Sequence, residues 1–259
     1  MSAPVFLAEA GTLSALQAGD TYLLDGEEGR HAAVVQRRGP GEVVEVVDGA
    51  GVRLRGEVLS NDDGALLLTI QTVNTEPTEP FQFTLVQALA KNDRDEQAIE
   101  AATELGVADV IPWQSQRAVV VWRGNRAEKS RQRWINTVRH AAKQSRRATV
   151  PQVGSLQTTT QLAGAIKAAV AQGTNVLVLH EEAATGLSEV IRALSAAPAP
   201  CAVWLVVGPE GGISSDEVTK LTSAGAQTVR LGRNVLRASS AGPVALAALQ
   251  SGLGLWDQP

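Results

Sequence analysis

The period of the apolar residues changes at Pro80, and that change limits what this chain can fold into. Before it, within residues 1–73, short runs such as TYLLDG, EVVEVVDGAG, VRLRGEVLS and ALLLTIQTV alternate apolar with polar residues. GEVVEVVDGAGVRLRGEVL keeps the alternation on both sides of Asp48-Gly49, the pattern of a hairpin of half-buried strands. A small all-β barrel or sandwich is expected there, with helical period confined to residues 28–37. NTEPTEP (74–80) holds two prolines, two glutamates and no apolar residue, and reads as a stiff linker. After Pro80 the apolar runs become continuous, as in VLVL and VWLVV, which suits parallel strands covered on both faces. Strands are expected at 83–90, 109–113, 117–122, 175–180, 202–208 and 227–232. Helices are expected between them near 94–105, 128–147, 160–171, 186–196, 214–224 and 243–255. The reading is an α/β domain over 81–259.

Composition excludes several classes. The chain has 259 residues, 44% of them hydrophobic and 19% charged, an ordinary globular balance with room for two cores. No run reaches the roughly 18 apolar residues of a membrane span. The start carries no basic region before Glu9 and Asp20, so a targeting peptide is not expected and a cytoplasmic location is. Cys201 is the sole cysteine and lies in APCAVWLVV, a setting for a buried thiol rather than a disulfide or a CxxC metal site. His31, His140 and His180 are scattered without H-E-x-x-H spacing, so no metal is expected. Neither G-x-S-x-G, a P-loop nor G-x-G-x-x-G is present.

The formal charge of −4 argues mildly against a nucleic-acid partner until it is divided by segment. Between Arg117 and Arg147 stand ten Lys or Arg and one acid, Glu128, leaving 13 basic and 26 acidic residues elsewhere. On a helix over 129–147, Trp134, Ile135, Val138, Ala141 and Ala142 share one arc, and Arg139, Lys143, Arg146 and Arg147 the other. A merely solvated face is usually laced with glutamates at i,i+4, and this one is not.

Two further segments carry chemistry. In VVGPEGGISSDEV (206–218) a strand ends in a turn with Gly208, Gly211 and Gly212, and Ser214 with Glu217 then forms an S-x-x-E capping box opening a helix. Backbone without Cβ atoms at the carboxyl end of a strand suits ligand binding in an open α/β sheet, although a tight strand-to-helix turn would have the same pattern. VRLGRNVLRASSAGPVALAALQSGLGL (229–255) runs from a strand through a polar turn and a small-residue bend, Ala238 to Gly242, into an Ala/Leu helix.

LVLHE (177–181), VGPEGGIS (207–214) and LGRNVLRASSAGPVALAALQ (231–250), taken in that order, resemble the SPOUT superfamily of RNA methyltransferases. More narrowly, the chain resembles the RsmE family, which methylates N3 of a uridine in the decoding region of 16S ribosomal RNA. KNDRDEQAIEAATELGV (91–107), the RW…AAKQSRR helix (133–147) and HAAVVQRRGPGEVVEVVDGAG (31–51) match the family as well, so the resemblance covers nearly the whole chain.

This resemblance implies a PUA-like β-barrel over 1–73 and, after the 74–80 linker, a SPOUT domain whose C-terminal segment forms a deep trefoil knot. It implies an S-adenosylmethionine pocket in which three loops converge. The first supplies Leu179, His180 and Glu181. The second supplies Val207, Gly208, Pro209, Glu210, Gly211, Gly212 and Ile213. The third supplies Leu231, Gly232, Leu236, Arg237, Ala238, Ser239, Ser240 and Ala241. It also implies a homodimer and a small-subunit rRNA partner. The cations expected to meet RNA are Arg30, His31, Arg37 and Arg38 on the barrel and Lys91, Arg94, Arg139, Lys143, Arg146 and Arg147 beyond it, with Gln144 beside them. Two departures matter. Leu236-Arg237-Ala238-Ser239-Ser240 replaces the LRTET of many members, so no general base is assigned there, and Lys143-Gln144-Ser145-Arg146-Arg147 replaces E-Q-S/C-G-R, adding positive charge. Methyl transfer from a sulfonium is an in-line displacement, and Arg237 is the expected catalytic cation that stabilises a uridinate. A ribose 2′-O-methyltransferase and a non-catalytic ribosome-assembly factor of the same fold remain the competing readings.

Overall fold

The computed structural model describes residues 3–196 and 200–257. The chain divides into two compact units, one built from residues up to 78 together with 142–150, the other from 79–141 and from 151 onward.

In the first unit, β1 (Val5–Leu7), β2 (Thr21–Leu24), β3 (Val43–Val47), β4 (Val52–Asp62) and β5 (Ala65–Thr75) form a sheet in the order β1-β3-β4-β5-β2. Only β1 on β3 is parallel. The hairpin read from the alternation is β3–β4, and Asp48 closes it: its Oδ1 accepts from Ala50 N at 2.9 Å and Val52 N at 3.0 Å. Two register shifts between β4 and β5, one at Arg55/Gly56 with Gln71 of β5 as the extra residue and one at Val58/Ser60 with Leu59 of β4 as the extra residue, bend the pair around a core that includes Phe6, Leu54, Leu66, Leu68 and Ile70. The helical stretch near 28–37 is α1 (Gly26–Arg30) running into one π turn, His31–Val35.

In the second unit, the strands are β6 (Phe81–Ala88), β7 (Asp109–Gln114), β8 (Gln152–Val153), β9 (Gln157–Thr158), β10 (Asn175–Leu179), β11 (Cys201–Val207) and β12 (Gln227–Val229). All pair in parallel, in the order β12-β10-β11-β6-β7-β8, with β9 also on β7. The helices are α2 (Arg94–Glu104), α3 (Asn125–Gln144), α4 (Thr159–Ala171), α5 (Leu187–Ser195), α6 (Ser215–Ser223) and α7 (Ala238–Gly252). Val86, Val178 and Val206 point to the face carrying α4 and α6, while Leu85 and Val207, of opposite parity, meet α7, which packs with α2 and α5. Cover on both faces explains the continuous apolar runs. Among the described residues, no helix is long and apolar enough to cross a membrane.

Three expectations fail here. Residues 117–122 form no strand. The side chain of Gln114 donates to Val120 O at 3.0 Å and accepts from Trp122 N at 3.4 Å, so it takes the backbone groups a neighbouring strand would need. The last strand stops at Val229, because Arg230 N and O bond across to Thr185 and Leu187 instead of extending the ladder. The helix expected from Pro243 begins five residues earlier. Arg237, extended at φ −68° and ψ 155°, is its N-cap, so the Ala/Ser/Gly stretch is its first turn. Pro243 lies inside α7, where it lacks the N–H that would reach Ser239 O, and buried Ala241, Ala245 and Leu246 offset that loss.

Candidate functional site

Because every strand of the second unit's sheet is parallel, their carboxyl ends share one edge, where open α/β sheets hold ligands. Neighbouring strands β10 and β12 end there and flank a cleft that is open to solvent. Leu179, His180 and Glu181 form one wall, Arg230, Leu231, Gly232, Asn234, Val235 and Leu236 the other, and Ala241 of α7 the floor. The second wall is bracketed at its root: His180 N donates to Val229 O at 3.0 Å, Arg230 N to Thr185 O at 2.9 Å, and Leu187 N to Arg230 O at 3.1 Å. Beyond that root, Leu231 to Leu236 make no hydrogen bond among the described residues. Val235 and Leu236 stand 75% and 37% exposed. Apolar side chains facing solvent beside free backbone N–H and C=O groups suit a flat heteroaromatic ligand, which takes both stacking and hydrogen bonds.

The adjoining loop, after β11, is built tightly. A Cβ on Gly208 would lie 2.6 Å from Ile213 Cγ1, so a side chain there forces a shift, and one on Gly211 would lie 3.1 Å from Arg117 Cβ, a tight contact. Glu210 Oε1 accepts from Lys91 N at 3.0 Å and from Arg94 Nη1 at 3.1 Å, tying this loop to the one after β6. The capping box read from Ser214 and Glu217 is formed. Its carboxylate, 4% exposed, does more than cap: Oε1 also accepts from Gln116 N and Thr159 Oγ1, each at 2.7 Å, and Oε2 from Ser214 N at 3.2 Å. One buried glutamate therefore joins the ends of β7, β9 and β11.

The expected cofactor residues fall into two groups. Leu179, His180, Glu181, Leu231, Gly232, Leu236 and Ala241 meet in the cleft. Val207 to Ile213 form the adjoining loop, and Arg237, Ala238, Ser239 and Ser240 the start of α7, outside the cleft lining. Arg237 is exposed and its guanidinium has no partner among the described residues. Arg230, Asn234 and Val235 line the cleft without having been singled out, although they belong to the same VRLGRNVLR run and its contiguity was the available signal.

The expected RNA cations divide as well. Lys91 and Arg139 are exposed, with side chains that have no partner among the described residues, and Arg94 is held by Glu210. Lys143 Nζ sits 2.7 Å from Glu28 Oε2 and 5.3 Å from the centre of the Phe6 ring, so its charge serves the first unit's packing. Arg146 takes a left-handed conformation at φ 60° after α3, and its carbonyl accepts from Arg53 Nη2 at 2.8 Å. Arg147 Nη2 donates to Thr149 Oγ1 at 3.0 Å, and Gln144 is exposed. On the first unit Arg30 and Arg37 are exposed, and His31 Nε2 lies 3.2 Å from Gln36 Nε2. Arg38 pairs with Glu42 at 2.9 Å, and the Gly39 N–H, followed by Arg38, lowers the pKa of that carboxyl. Beside the loop after β6, burial raises the pKa of Asp95 even though it accepts from Ala90 N and Glu96 N.

Residues 77–250 match the RNA methyltransferase domain family. The ribosomal RNA small subunit methyltransferase E of Mycobacterium bovis is 43% identical over 239 residues, covering 92% of this chain and 89% of that protein. Its Bacillus subtilis counterpart is 30% identical over 241 residues, covering 92% and 93%. The crystal structure of a ribosomal RNA small subunit methyltransferase E from Neisseria gonorrhoeae bound to S-adenosyl methionine superimposes with a TM-score of 0.82 at 29% identity, covering 96% of this chain and 98% of that one. The chain belongs to the ribosomal RNA small subunit methyltransferase E (RsmE) family.

Proposed function

We propose that this protein transfers the methyl group of S-adenosylmethionine to N3 of a uridine in the decoding region of 16S rRNA, acting in the cytoplasm as a homodimer. The observation that carries the reading is the cleft between the ends of β10 and β12, in a chain of this family. Its fit to the cofactor rests on Leu179, Leu231, Val235 and Leu236, which offer an adenine ring apolar cover, and on the unbonded backbone of 231–236. When bound, the cofactor supplies an electrophilic methyl carbon on a cationic sulfur.

Uracil N3 must give up its proton to become the nucleophile, and a cation facing O2 or O4 lowers that cost. Arg237 suits the role: it is exposed, unpaired among the described residues and one turn from Ala241 in the cleft lining. The positioning of base and methyl donor supplies most of the remaining acceleration.

Residues 1–73 are read as a PUA-like, RNA-contacting barrel, 74–80 as a linker and 81–259 as a SPOUT domain with a C-terminal trefoil knot. The register shifts between β4 and β5 support the barrel, and the bracketing of Arg230 by residues 185 and 187 supports the threading.

Small ribosomal subunits and free 16S rRNA, incubated with methyl-labelled cofactor and digested to nucleosides, are expected to yield N3-methyluridine. A 2′-O-methylated product, or none, overturns the reading. Arg237→Ala is expected to lower turnover about a hundredfold while cofactor affinity holds, and near-normal turnover removes Arg237 from the mechanism.

A further inference from the structure

We propose that Arg117 is a substrate-contacting residue, which grips a phosphate of the RNA strand next to the target nucleotide. The inference rests on the reading of RNA as substrate and adds a contact at a residue assigned no role above.

Arg117 follows β7, and its main chain is pressed against the loop after β11. Its Cβ and carbonyl oxygen are the atoms that a Cβ at Gly211 would crowd, at 3.1 and 3.3 Å, and its Nη1 donates to Gly211 O at 3.1 Å. Buried Glu217 accepts the preceding amide, Gln116 N, at 2.7 Å, and Ser214 Oγ lies 2.7 Å from Gln116 Oε1. The backbone under Arg117 is therefore fixed to the frame of the β11 loop, and β11 adjoins β10, whose end forms a wall of the cleft.

The guanidinium itself is exposed and paired with no acid among the described residues. Of the other cations near this edge, Arg94 is paired with Glu210 and Arg133 with Asp93 and Glu96, while the side chains of Lys91 and Arg237 have no partner among the described residues and lack the backbone anchor that holds Arg117. With Nη1 on Gly211 O, Arg117 keeps Nε and Nη2 as a planar fork, which matches two oxygens of one phosphate. An arginine whose stem is pinned has already lost much of its rotamer entropy, so little more is lost when the fork closes on an anion. A structural role alone would be met by an uncharged donor to Gly211 O, and this separates the two interpretations.

The test compares wild type, Arg117→Gln and Arg117→Ala in binding to free 16S rRNA at several salt concentrations, with cofactor affinity measured alongside. Arg117→Gln keeps an amide donor for Gly211 O and removes the charge. Both variants are expected to bind RNA roughly tenfold more weakly and to reduce the slope of log affinity against log salt by about 0.7 to 1, with cofactor affinity unchanged. An unchanged slope in Arg117→Gln overturns the proposal. So does a loss of cofactor affinity in Arg117→Ala that Arg117→Gln restores along with RNA binding, since Arg117 would then only brace the loop. Wild-type protein that binds RNA with the expected slope yet transfers no methyl group counts against the proposed activity and leaves the phosphate contact standing.

Discussion

Two loops at the same edge of the parallel sheet, 207–214 and 230–237, each lead from a strand into a helix, yet they are held in opposite ways. The first is fixed from three sides, by Glu210 to the loop after β6, by Arg117 to the segment after β7, and by Glu217 to both that segment and α4. The second is anchored at Arg230 and then crosses six residues without a hydrogen bond to any described residue before Arg237 caps α7. The difference separates two tasks. A fixed loop holds geometry, and a loop with few internal bonds leaves backbone groups and apolar side chains for a ligand to satisfy, so ligand binding itself orders it.

If this division holds, damage to the first loop appears as lost stability and damage to the second as lost ligand affinity. The largest effect is expected for Glu217→Ala, which strands the Gln116 and Ser214 amides and the Thr159 hydroxyl in a buried setting. About 3 kcal/mol or more of unfolding free energy is at stake. Denaturant unfolding measures it, and a loss below about 1 kcal/mol would mean that the loop is not held by this carboxylate. Gly208→Ala follows at about 1–3 kcal/mol, because its methyl group collides with Ile213 Cγ1. The Val235→Ala, Leu236→Ala double variant is expected to unfold within about 0.5 kcal/mol of wild type, both side chains being exposed, and to bind S-adenosylmethionine about tenfold more weakly by calorimetry. A large stability loss with unchanged affinity would reverse the assignment of roles.

How far the sequence discloses this contrast depends on the range of the interactions. The capping box at Ser214 and Glu217 is legible because its partners lie three residues apart, and the sheet is legible because burial on both faces leaves continuous apolar runs. The other bonds of Glu217 span 58 and 101 residues and leave no local trace. The basic stretch shows the same limit. Its composition was plain, but Lys143 is neutralised by Glu28, 115 residues away, while Arg139 stays free, and no helical wheel separates the two. The strand expected at 117–122 failed because a side chain, Gln114, took its backbone partners, a competition that the apolar pattern cannot register.

The smallest effect tests the first loop from beneath. Asp95 carries the end of β6 by accepting from Ala90 N at 3.2 Å and Glu96 N at 3.0 Å, and this segment leads to Lys91 and Arg94, which hold Glu210. Burial raises its pKa above the ordinary 3.8, and the nearby Asp93 pushes the same way, against the backbone hydrogen bonds from Ala90, Glu96 and its own amide that lower it. A carboxyl whose folded pKa is raised favours folding most in acid, below its unfolded pKa, and that contribution is lost as pH rises through the folded value. At neutral pH the buried charge is therefore a small cost borne to keep two acceptors. Asp95→Asn keeps one acceptor and removes the titration. Relative to the variant, wild type should gain about 1–2 °C in Tm as pH falls from 6 toward 4, read from thermal unfolding at each pH. Parallel curves would show that the loop after β6 rests on the hydrogen bonds alone, and that burial of the Asp95 charge plays no part in holding it.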